Sequence, residues 1–567
     1  MVLQPILDMV EVLAQLGVAK VLLSPGSRSA AITLAFARHP AMKCRVAPDE
    51  RSAAFIALGM AQGSGAPVAL VCTSGTAVLN FAPALAEAFY QRIPLIAITA
   101  DRPPEWIDQC DGQTIRQAGI YGGLVKRCFE FPVDFSHPDS RWHANRIASE
   151  AVQLCMQHPQ GPVHLNVPVR EPFYPVEGEP WHYNKDVRAI VHSRTEPSDS
   201  DLPAELIQLI SAHQNILVMV GQSAPIENLT SALSACARKK NLAVIADVTA
   251  NLEGDEGFIR HSDVFLSRTG HWDELKPDLL ISTGGPLLSR VLKQFIRKSS
   301  PEAHIRLEQN AVVPDTVQNL SHVVHMNPVN FFNALHNLPQ FKGNAAYMER
   351  WHRHEKRAVD FIGNFFPQEH FGEFEATHRV LKSMPAGSVL HLANSMPVRY
   401  ANLLGGLIAT KQIRVASNRG TSGIDGCLST AVGFALASPA LHVLLTGDMA
   451  FHYDRNAFWS DPIPGNLKII VLNNHGGGIF RLIDGPSGLP ELEEYFETRQ
   501  MLRAENTCRD FGMCYIHCSS RQHLDTALQT FFRNDGRCTV LEIESNGPEN
   551  QIIYKKFREQ IKTRYGT

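Results

Sequence analysis

The run Leu441-His442-Val443-Leu444-Leu445-Thr446-Gly447-Asp448-Met449-Ala450 is followed by a second one, Lys468-Ile469-Ile470-Val471-Leu472-Asn473-Asn474-His475-Gly476-Gly477-Gly478. Each apolar stretch reads as a buried β-strand. Each ends in an oxygen-bearing side chain, Asp448 in the first case and Asn474 in the second. A parallel sheet sets such strand ends side by side on one edge, where open α/β sheets bind their ligands. Asp448, Asn474 and a backbone carbonyl near Gly476 would offer three hard oxygens. That set suits Mg²⁺, which completes its octahedron with water and phosphate oxygens. Two ordinary strands ending in turn-forming Asp, Asn and Gly would write the same pattern, so the rest of the chain has to decide.

The chain has 567 residues, room for three to four domains at roughly 100 to 200 residues each. A hydrophobic content of 44% supplies large cores, and a net charge of −3 gives no global attraction to nucleic acid or to a membrane surface. The start, Met1-Val2-Leu3-Gln4-Pro5, has neither a basic n-region nor a cleavage signature. No apolar run is long enough to span a bilayer, so no membrane insertion is expected. The 11 cysteines are scattered and odd in number, with no C-x-x-C spacing. Idle thiols and a cytoplasmic location are the expectation.

Residues 1–185 alternate helix and strand. A helical pattern over 6–16 precedes a strand over 18–23, which ends at Ser24-Pro25-Gly26-Ser27-Arg28-Ser29. A strand over 67–72 runs into Thr73-Ser74-Gly75-Thr76 and a helix over 77–88, and further strands follow at 93–99 and 163–167. The polar stretch 193–201 reads as a linker. Strands recur at 216–220, 243–246, 279–282 and 305–307, giving a second unit over 200–340 that lacks any G-x-G-x-x-G fingerprint. A charged segment at 348–357 leads into a third unit, 368–567. The expected fold class is α/β: three consecutive doubly wound, mostly parallel-sheet domains.

Two further stretches carry chemistry. Asp49-Glu50-Arg51 sets an acid at the start of an apolar helix, where the helix dipole alone already favours a carboxylate. The turn 24–29 combines three serine hydroxyls with Arg28 at a helix start. Such a turn binds anions, although a capped helix with an exposed arginine would look the same.

Together with Thr99-Ala100-Asp101-Arg102-Pro103-Pro104, Gln113-Thr114-Ile115-Arg116-Gln117, Gly161-Pro162-Val163-His164-Leu165-Asn166, Asn394-Ser395-Met396-Pro397-Val398-Arg399 and Ser417-Asn418-Arg419-Gly420-Thr421-Ser422-Gly423-Ile424-Asp425-Gly426, these runs stand in the order of one family. The chain resembles the MenD family of thiamine-diphosphate enzymes, the 2-succinyl-5-enolpyruvyl-6-hydroxy-3-cyclohexene-1-carboxylate (SEPHCHC) synthases of menaquinone biosynthesis, over nearly its whole length. The run 417–426 is the most discriminating piece, because thiamine enzymes in general lack it. Met449 stands where the commoner Gly-Asp-Gly motif has its second glycine, and Gly112 precedes Gln113 where some members carry asparagine.

The resemblance implies a pyrimidine-binding domain (1–185), a central domain (200–340) and a diphosphate-binding domain (368–567). It implies thiamine diphosphate with Mg²⁺ (or Mn²⁺) held by Asp448, Asn474 and Gly476, and the substrates 2-oxoglutarate and isochorismate. Glu50 would hydrogen-bond the N1′ atom of the cofactor's aminopyrimidine. Thr76, Ser395, Ser422, Gly447, Met449 and Ala450 would lie beside the cofactor, with Ile424 the apolar wedge under it. Ser27 and Gln113 would touch substrate, and Ile479 with Phe480 would wall the isochorismate ring. Both substrates are dicarboxylates, so Arg28, Arg102, Arg399 and Arg419 are the expected grips. Arg290 is the expected basic residue of the central domain, with Lys293 the choice if the register slips. Sites at the interface of a homodimer or homotetramer are also implied. An acetolactate-synthase-like 2-oxo acid carboligase or decarboxylase would share Glu50 and the metal pair but needs fewer arginines. A non-catalytic cofactor-binding homologue would have lost one of these groups, and none is missing here.

Overall fold

Strand segments such as Val68–Cys72, Leu95–Asp101 and Leu467–Asn473 are buried at every position. A parallel sheet covered by helices on both faces requires that. The computed structural model describes residues 4–171, 173, 174, 181–191, 201–254, 257–309, 313–339, 341–366, 370–460, 462–483 and 485–564. The proposed linker 193–201 falls outside these except for Asp201, as does position 368.

Among the described residues three sheets form, and every strand pairing within them is parallel. The first runs, in space, Lys43–Val46, Lys20–Leu23, Val68–Cys72, Leu95–Asp101, Val163–Pro168, Cys128–Glu130. The third runs Arg414–Ala416, Val389–Leu392, His442–Gly447, Leu467–Asn473, Thr539–Glu544, Cys514–Cys518. Numbered within each unit, both sheets have the order 2-1-3-4-6-5. The central sheet, His322–Val324, Ala303–Leu307, Leu279–Thr283, Ile216–Val220, Ala243–Ala246, reverses its order in the same way. In the two outer sheets the switch point lies between the first and third strands, where connections leave in opposite directions and open a crevice. One crevice is therefore flanked by residues 24–29 and 73–76, and the other by 393–396 and 447–450.

The helix Glu50–Ser64 follows the edge strand of the first unit, and Cys427–Ala437 follows its counterpart in the third. These equivalent helices cross with their backbones in contact. A Cβ on Gly433 would stand 1.8 Å from the Ile56 carbonyl oxygen, and one on Gly59 2.0 Å from that of Thr430. Only glycine permits so close an approach, since ordinary side chains hold helix axes roughly 8–10 Å apart. The crossing lies in a core shared by the two units, with Phe55, Ile56, Leu58, Leu428 and Val432 all buried.

The helix expected over 77–88 is two helices, Thr76–Asn80 and Ala82–Gln91. Pro83 has no N–H to bond back into the preceding turn, so the ladder breaks and the chain restarts at Ala82. The charged segment 348–357 belongs to one long helix, Ala345–Gly363, whose Tyr347, Trp351, Ala358 and Phe361 join a core common to the central and third units. Among the described residues no helix is long and apolar enough to cross a membrane.

The first helix, Gln4–Gln15, is tied to residues 181–191 through Glu11. Burial alone would raise this carboxyl, but Lys185 Nζ at 2.7 Å, His39 Nε2 at 2.9 Å and Gln15 Nε2 at 3.1 Å hold it down at about 2. A depressed carboxyl stabilises the fold above its unfolded value of 4.5, and that stability is lost as pH falls toward about 2. Allowing for the solvent around Lys185, the network is worth about 2 kcal/mol at neutral pH. Glu11→Gln should therefore melt a few degrees lower than wild type at pH 7, with the gap narrowing as pH is taken below 4.5. A gap that stayed constant down to the acid limit of folding would contradict this electrostatic origin.

Candidate active site

The register Gly447↔Leu472 sets Asp448 beside the Asn473-Asn474 end of the neighbouring strand. Asp448 is 2% exposed. Its Oδ2 accepts a 2.7 Å bond from Gln500 Nε2, and the backbone N–H groups of Met449 and Gly476 also donate to the carboxylate. Burial raises it to about 6, more than these donors lower it. Asn474 donates through Nδ2 to Glu373 Oε1 at 2.6 Å. Glu373 itself is 3% exposed and lies at the start of the helix Glu373–Ser383. Its Oε2 accepts from the Tyr400 hydroxyl at 3.3 Å. Burial, with the Asp448 charge adding, raises Glu373 to about 7. With the amide nitrogen engaged, Asn474 Oδ1 has no donor among the described residues.

The glycine loop after Asn474 is tight. A Cβ on Gly478 would fall 2.5 Å from Asn474 Nδ2, and one on Gly476 2.8 Å from the Glu497 carbonyl oxygen. The Gly476 carbonyl accepts the Gly478 amide at 3.0 Å, which leaves one lone pair for another partner. His475 sits between these groups, but its Nε2 pairs with Glu544 Oε1 at 3.0 Å. Asp448, Asn474 Oδ1 and a main-chain carbonyl make an all-oxygen set around a carboxylate that burial has left short of positive charge. That set fits Mg²⁺ or Mn²⁺.

Beside this cradle, Ile424 packs on Ala393, Cys427 and Ala450. Met449 is partly buried, and no atom lies within 4 Å of where a Cβ on Gly447 would stand. The loop 417–426 is clamped from three sides. Asn394 Nδ2 donates to the carbonyls of Asn418 and Gly423 at 2.8 and 2.6 Å, and Asn394 Oδ1 accepts from Arg419 Nη1 at 2.8 Å. Glu87 of the first unit accepts the Gly420 and Thr421 amides at 2.8 and 2.7 Å. Gln222 of the central unit donates to the Ser417 carbonyl at 3.0 Å. Ser395 and Ser422 take left-handed backbone, at φ 77° and 66°, the kind of strain that collects at functional sites.

Glu50 opens its helix, with Asp49 accepting from the Arg51 and Ser52 amides at 2.9 and 3.3 Å. Burial raises the Glu50 carboxyl, and the Asp49 charge adds to the effect. Burial, with the Glu50 charge adding, raises the Cys72 thiol, so Glu50 lies near the carboxyl end of the strand Val68–Cys72, at the first switch point. Ser52 Oγ, Thr73 Oγ1 and Ser74 Oγ are buried there without a partner among the described residues, polar atoms of the kind a heterocycle with ring nitrogens and an amino group can satisfy.

Residues 8–120 match the family model described as thiamine pyrophosphate enzyme, N-terminal TPP binding domain. The chain is 43% identical to the 2-succinyl-5-enolpyruvyl-6-hydroxy-3-cyclohexene-1-carboxylate synthase of Cytophaga hutchinsonii, over 99% of this chain and all (100%) of that protein. It is 37% identical to the synthase of the same name from Porphyromonas gingivalis, over 95% and 94% of the two chains. With that from Bacteroides thetaiotaomicron the figures are 34%, over 98% of each. The chain belongs to the SEPHCHC synthase family.

The expected SEPHCHC synthase residues fall into two groups. On the first unit, Arg28 is 6% exposed, bonds the Val169 carbonyl at 3.1 Å and stacks 4.3 Å over the Phe173 ring. Arg102 pairs with Asp111 at 2.8 Å and bonds the Gly112 carbonyl at 3.0 Å. Gln113, at φ 54°, packs its backbone against Gly75, and Gln117 bonds the Gly75 amide at 2.9 Å. Ser27, Thr76 and Gln113 are exposed. On the third unit, Arg399 Nη1 bonds the Ser395 carbonyl at 2.5 Å, and the charges of Arg399 and Lys293 both act on Arg419 or Asp263. Ile479 and Phe480 are half-buried, Phe480 against Phe496.

Arg290 is exposed at the first turn of its helix, whereas Lys293 is half-buried, with Arg419, Asp247 and Asp263 as electrostatic neighbours. Lys293 Nζ donates to the Leu287 carbonyl at 3.2 Å. Glu373, Gln500 and Glu87 were missed by sequence reasoning. Each lies far along the chain from the group it holds, and an acid in a first helical turn, as at Glu373, looks like routine dipole chemistry.

Proposed function

We propose that this chain catalyses the SEPHCHC synthase reaction: decarboxylation of 2-oxoglutarate and addition of the remaining succinyl unit to isochorismate, releasing CO₂, as a step of menaquinone biosynthesis. The observation that carries the proposal is the matched pair of switch points, with Glu50 at one and Asp448 with Asn474 at the other, in a chain similar to such synthases from end to end. Thiamine diphosphate with Mg²⁺ or Mn²⁺, when bound, supplies the nucleophilic carbon and the electron sink for decarboxylation.

The protein's own residues bind, orient and move protons. Asp448, Asn474 and the Gly476 carbonyl would hold the metal, with Gln500 bonded to Asp448 and Glu373 to Asn474 to orient them. Glu50 would hold and return a proton at the aminopyrimidine of the bound cofactor, and Ile424 would pack against it. Ser27, Arg28, Arg102 and Gln113 from one side, and Ser395, Arg399, Arg419 and Lys293 from the other, receive the dicarboxylates. Ile479 and Phe480 exclude water beside the ring. Residues 1–185, 200–340 and 368–567 act as pyrimidine-binding, central and diphosphate-binding domains.

The working form is a homodimer or a homotetramer of two dimers, with each site completed by a second copy. Solvent exposure of Ser27, Thr76 and Gln113 in the single chain supports this. Cysteines without disulfide partners support a cytoplasmic setting.

The test is product mass and CO₂ release from purified protein given thiamine diphosphate, Mg²⁺ and 2-oxoglutarate, with and without isochorismate. A product joining both carbon skeletons is expected. Products from pyruvate alone would replace this reading with an acetolactate-type one. Arg399→Ala should raise the substrate KM about tenfold or more, because a charge-assisted carboxylate contact is lost, while leaving cofactor affinity unchanged. Loss of cofactor binding in titrations would remove Arg399 from the substrate side.

A further inference from the structure

We propose that His271, Glu274 and His354 form a second metal site, on the central unit and away from the cofactor cradle, that takes a late first-row divalent cation such as Zn²⁺. The three residues come from separate elements. His271 closes the turn Thr269–His271, Glu274 lies on the short helix Trp272–Leu275, and His354 lies on the long helix Ala345–Gly363. Their donor atoms all lie within 4.8 Å of one another. His354 Nε2 is 2.9 Å and His271 Nδ1 3.3 Å from the same Glu274 oxygen. The edges of a tetrahedron with roughly 2.0–2.1 Å metal–ligand bonds are about 3.3 Å long, so the two edges that meet at Glu274 are near that length, and the third, between the two imidazoles, is at most 4.8 Å and closes by turning the His271 ring.

The donor chemistry selects the metal. Two imidazoles and one carboxylate suit Zn²⁺ and its neighbours, whereas Mg²⁺ and Ca²⁺ demand oxygen. The site is anchored on one side and open on the other. The His354 side chain is 5% exposed, its ring 5.3 Å from that of Phe265, while Glu274 is 41% exposed. A buried ligand fixes the geometry, and the open side leaves a coordination position for water. Because Glu274 belongs to the central unit and His354 to the helix that leads into the third, the ion would staple the two together. Removing it would loosen that junction without touching Asp448 or Asn474.

The test uses untagged full-length protein already loaded with thiamine diphosphate and Mg²⁺, so that the cradle is filled. Co²⁺ and Zn²⁺ are titrated against a chromogenic chelator in wild type, Glu274→Gln and His271→Ala. Both substitutions lie on the exposed side and spare the buried His354. Wild type should hold one equivalent of Zn²⁺, with affinity reduced at least about tenfold in each variant. The Co²⁺ spectrum should lack a sulfur-to-cobalt charge-transfer band, which separates this site from the cysteines. Added Zn²⁺ should raise the melting temperature of wild type and not of the variants. Equal uptake by wild type and both variants, or a cobalt spectrum dominated by sulfur, would overturn the proposal. No readout depends on turnover, so the outcome is separate from that of the proposed reaction.

Discussion

Glu50→Gln should bind thiamine diphosphate with nearly unchanged affinity and lose about 10²- to 10⁴-fold in turnover, the range expected when a positioned proton-transfer group is removed. The substitution keeps size and shape. Glutamine still fits the first turn of Glu50–Ser64, and Asp49 still caps the helix. The lost interaction with the helix dipole is worth about 0.3–1 kcal/mol, too little to unfold a chain whose helix is locked by the Gly59–Gly433 crossing. What glutamine cannot do is take up and return a proton. Burial, with the Asp49 charge adding, lifts the Glu50 carboxyl above its ordinary value, which favours the protonated form that exchange passes through. Steady-state rates paired with cofactor titrations decide the matter, and unchanged turnover would remove Glu50 from the chemistry. The same variant probes the assembly. If each site draws Glu50 from one copy and Asp448 from another, mixing inactive Glu50→Gln with inactive Asp448→Ala should restore about one quarter of wild-type activity, because a mixed dimer concentrates both lesions in one site and leaves the other intact. No recovery after exchange of subunits would mean that each chain carries its own complete site.

Much of this was legible in the sequence because it is written locally. Asp448 and Asn474 each end a long strand buried on both faces, and such runs are unmistakable at His442–Gly447 and Leu467–Asn473. Short edge strands such as Lys43–Val46, Cys128–Glu130 and Arg414–Ala416 were not, since three or four half-exposed residues carry no period. Spatial order is not local either. The shared 2-1-3-4-6-5 arrangement of the first and third sheets pairs Glu50–Ser64 with Cys427–Ala437, yet no repeat is visible in the residues themselves. Nor can a one-dimensional pattern resolve a helical register, and a shift from Arg290 to Lys293 goes from an exposed position to a half-buried one. Glu373 is the clearest omission. It acts on a group 101 positions away along the chain, and only folding brings them together.

Asp448→Ala should weaken Mg²⁺ binding by about 100-fold or more, since losing a direct ligand costs at least what losing an outer partner does. Thiamine diphosphate affinity should fall with it, because a diphosphate held through a metal cannot stay without one. The ligand-free variant should nonetheless melt no lower than ligand-free wild type. An ionised carboxylate at 2% exposure, lifted from 3.8 to about 6, is an internal penalty of about 3 kcal/mol at neutral pH that a bound cation relieves. Function and stability therefore oppose each other at this residue. Glu373→Gln supplies the complementary case. It keeps the volume at the helix start and leaves Asp448 in place, but an amide can face Asn474 Nδ2 only through its one oxygen. Mg²⁺ affinity should drop about 10- to 100-fold, as for other residues that orient a metal ligand. Melting curves with and without Mg²⁺ and cofactor read both effects at once. In wild type the pair should raise the melting temperature, in Glu373→Gln the rise should need more Mg²⁺, and in Asp448→Ala it should vanish. A full rise in Asp448→Ala would show that the metal is held elsewhere, and the oxygen set at the ends of the two strands would lose its assignment.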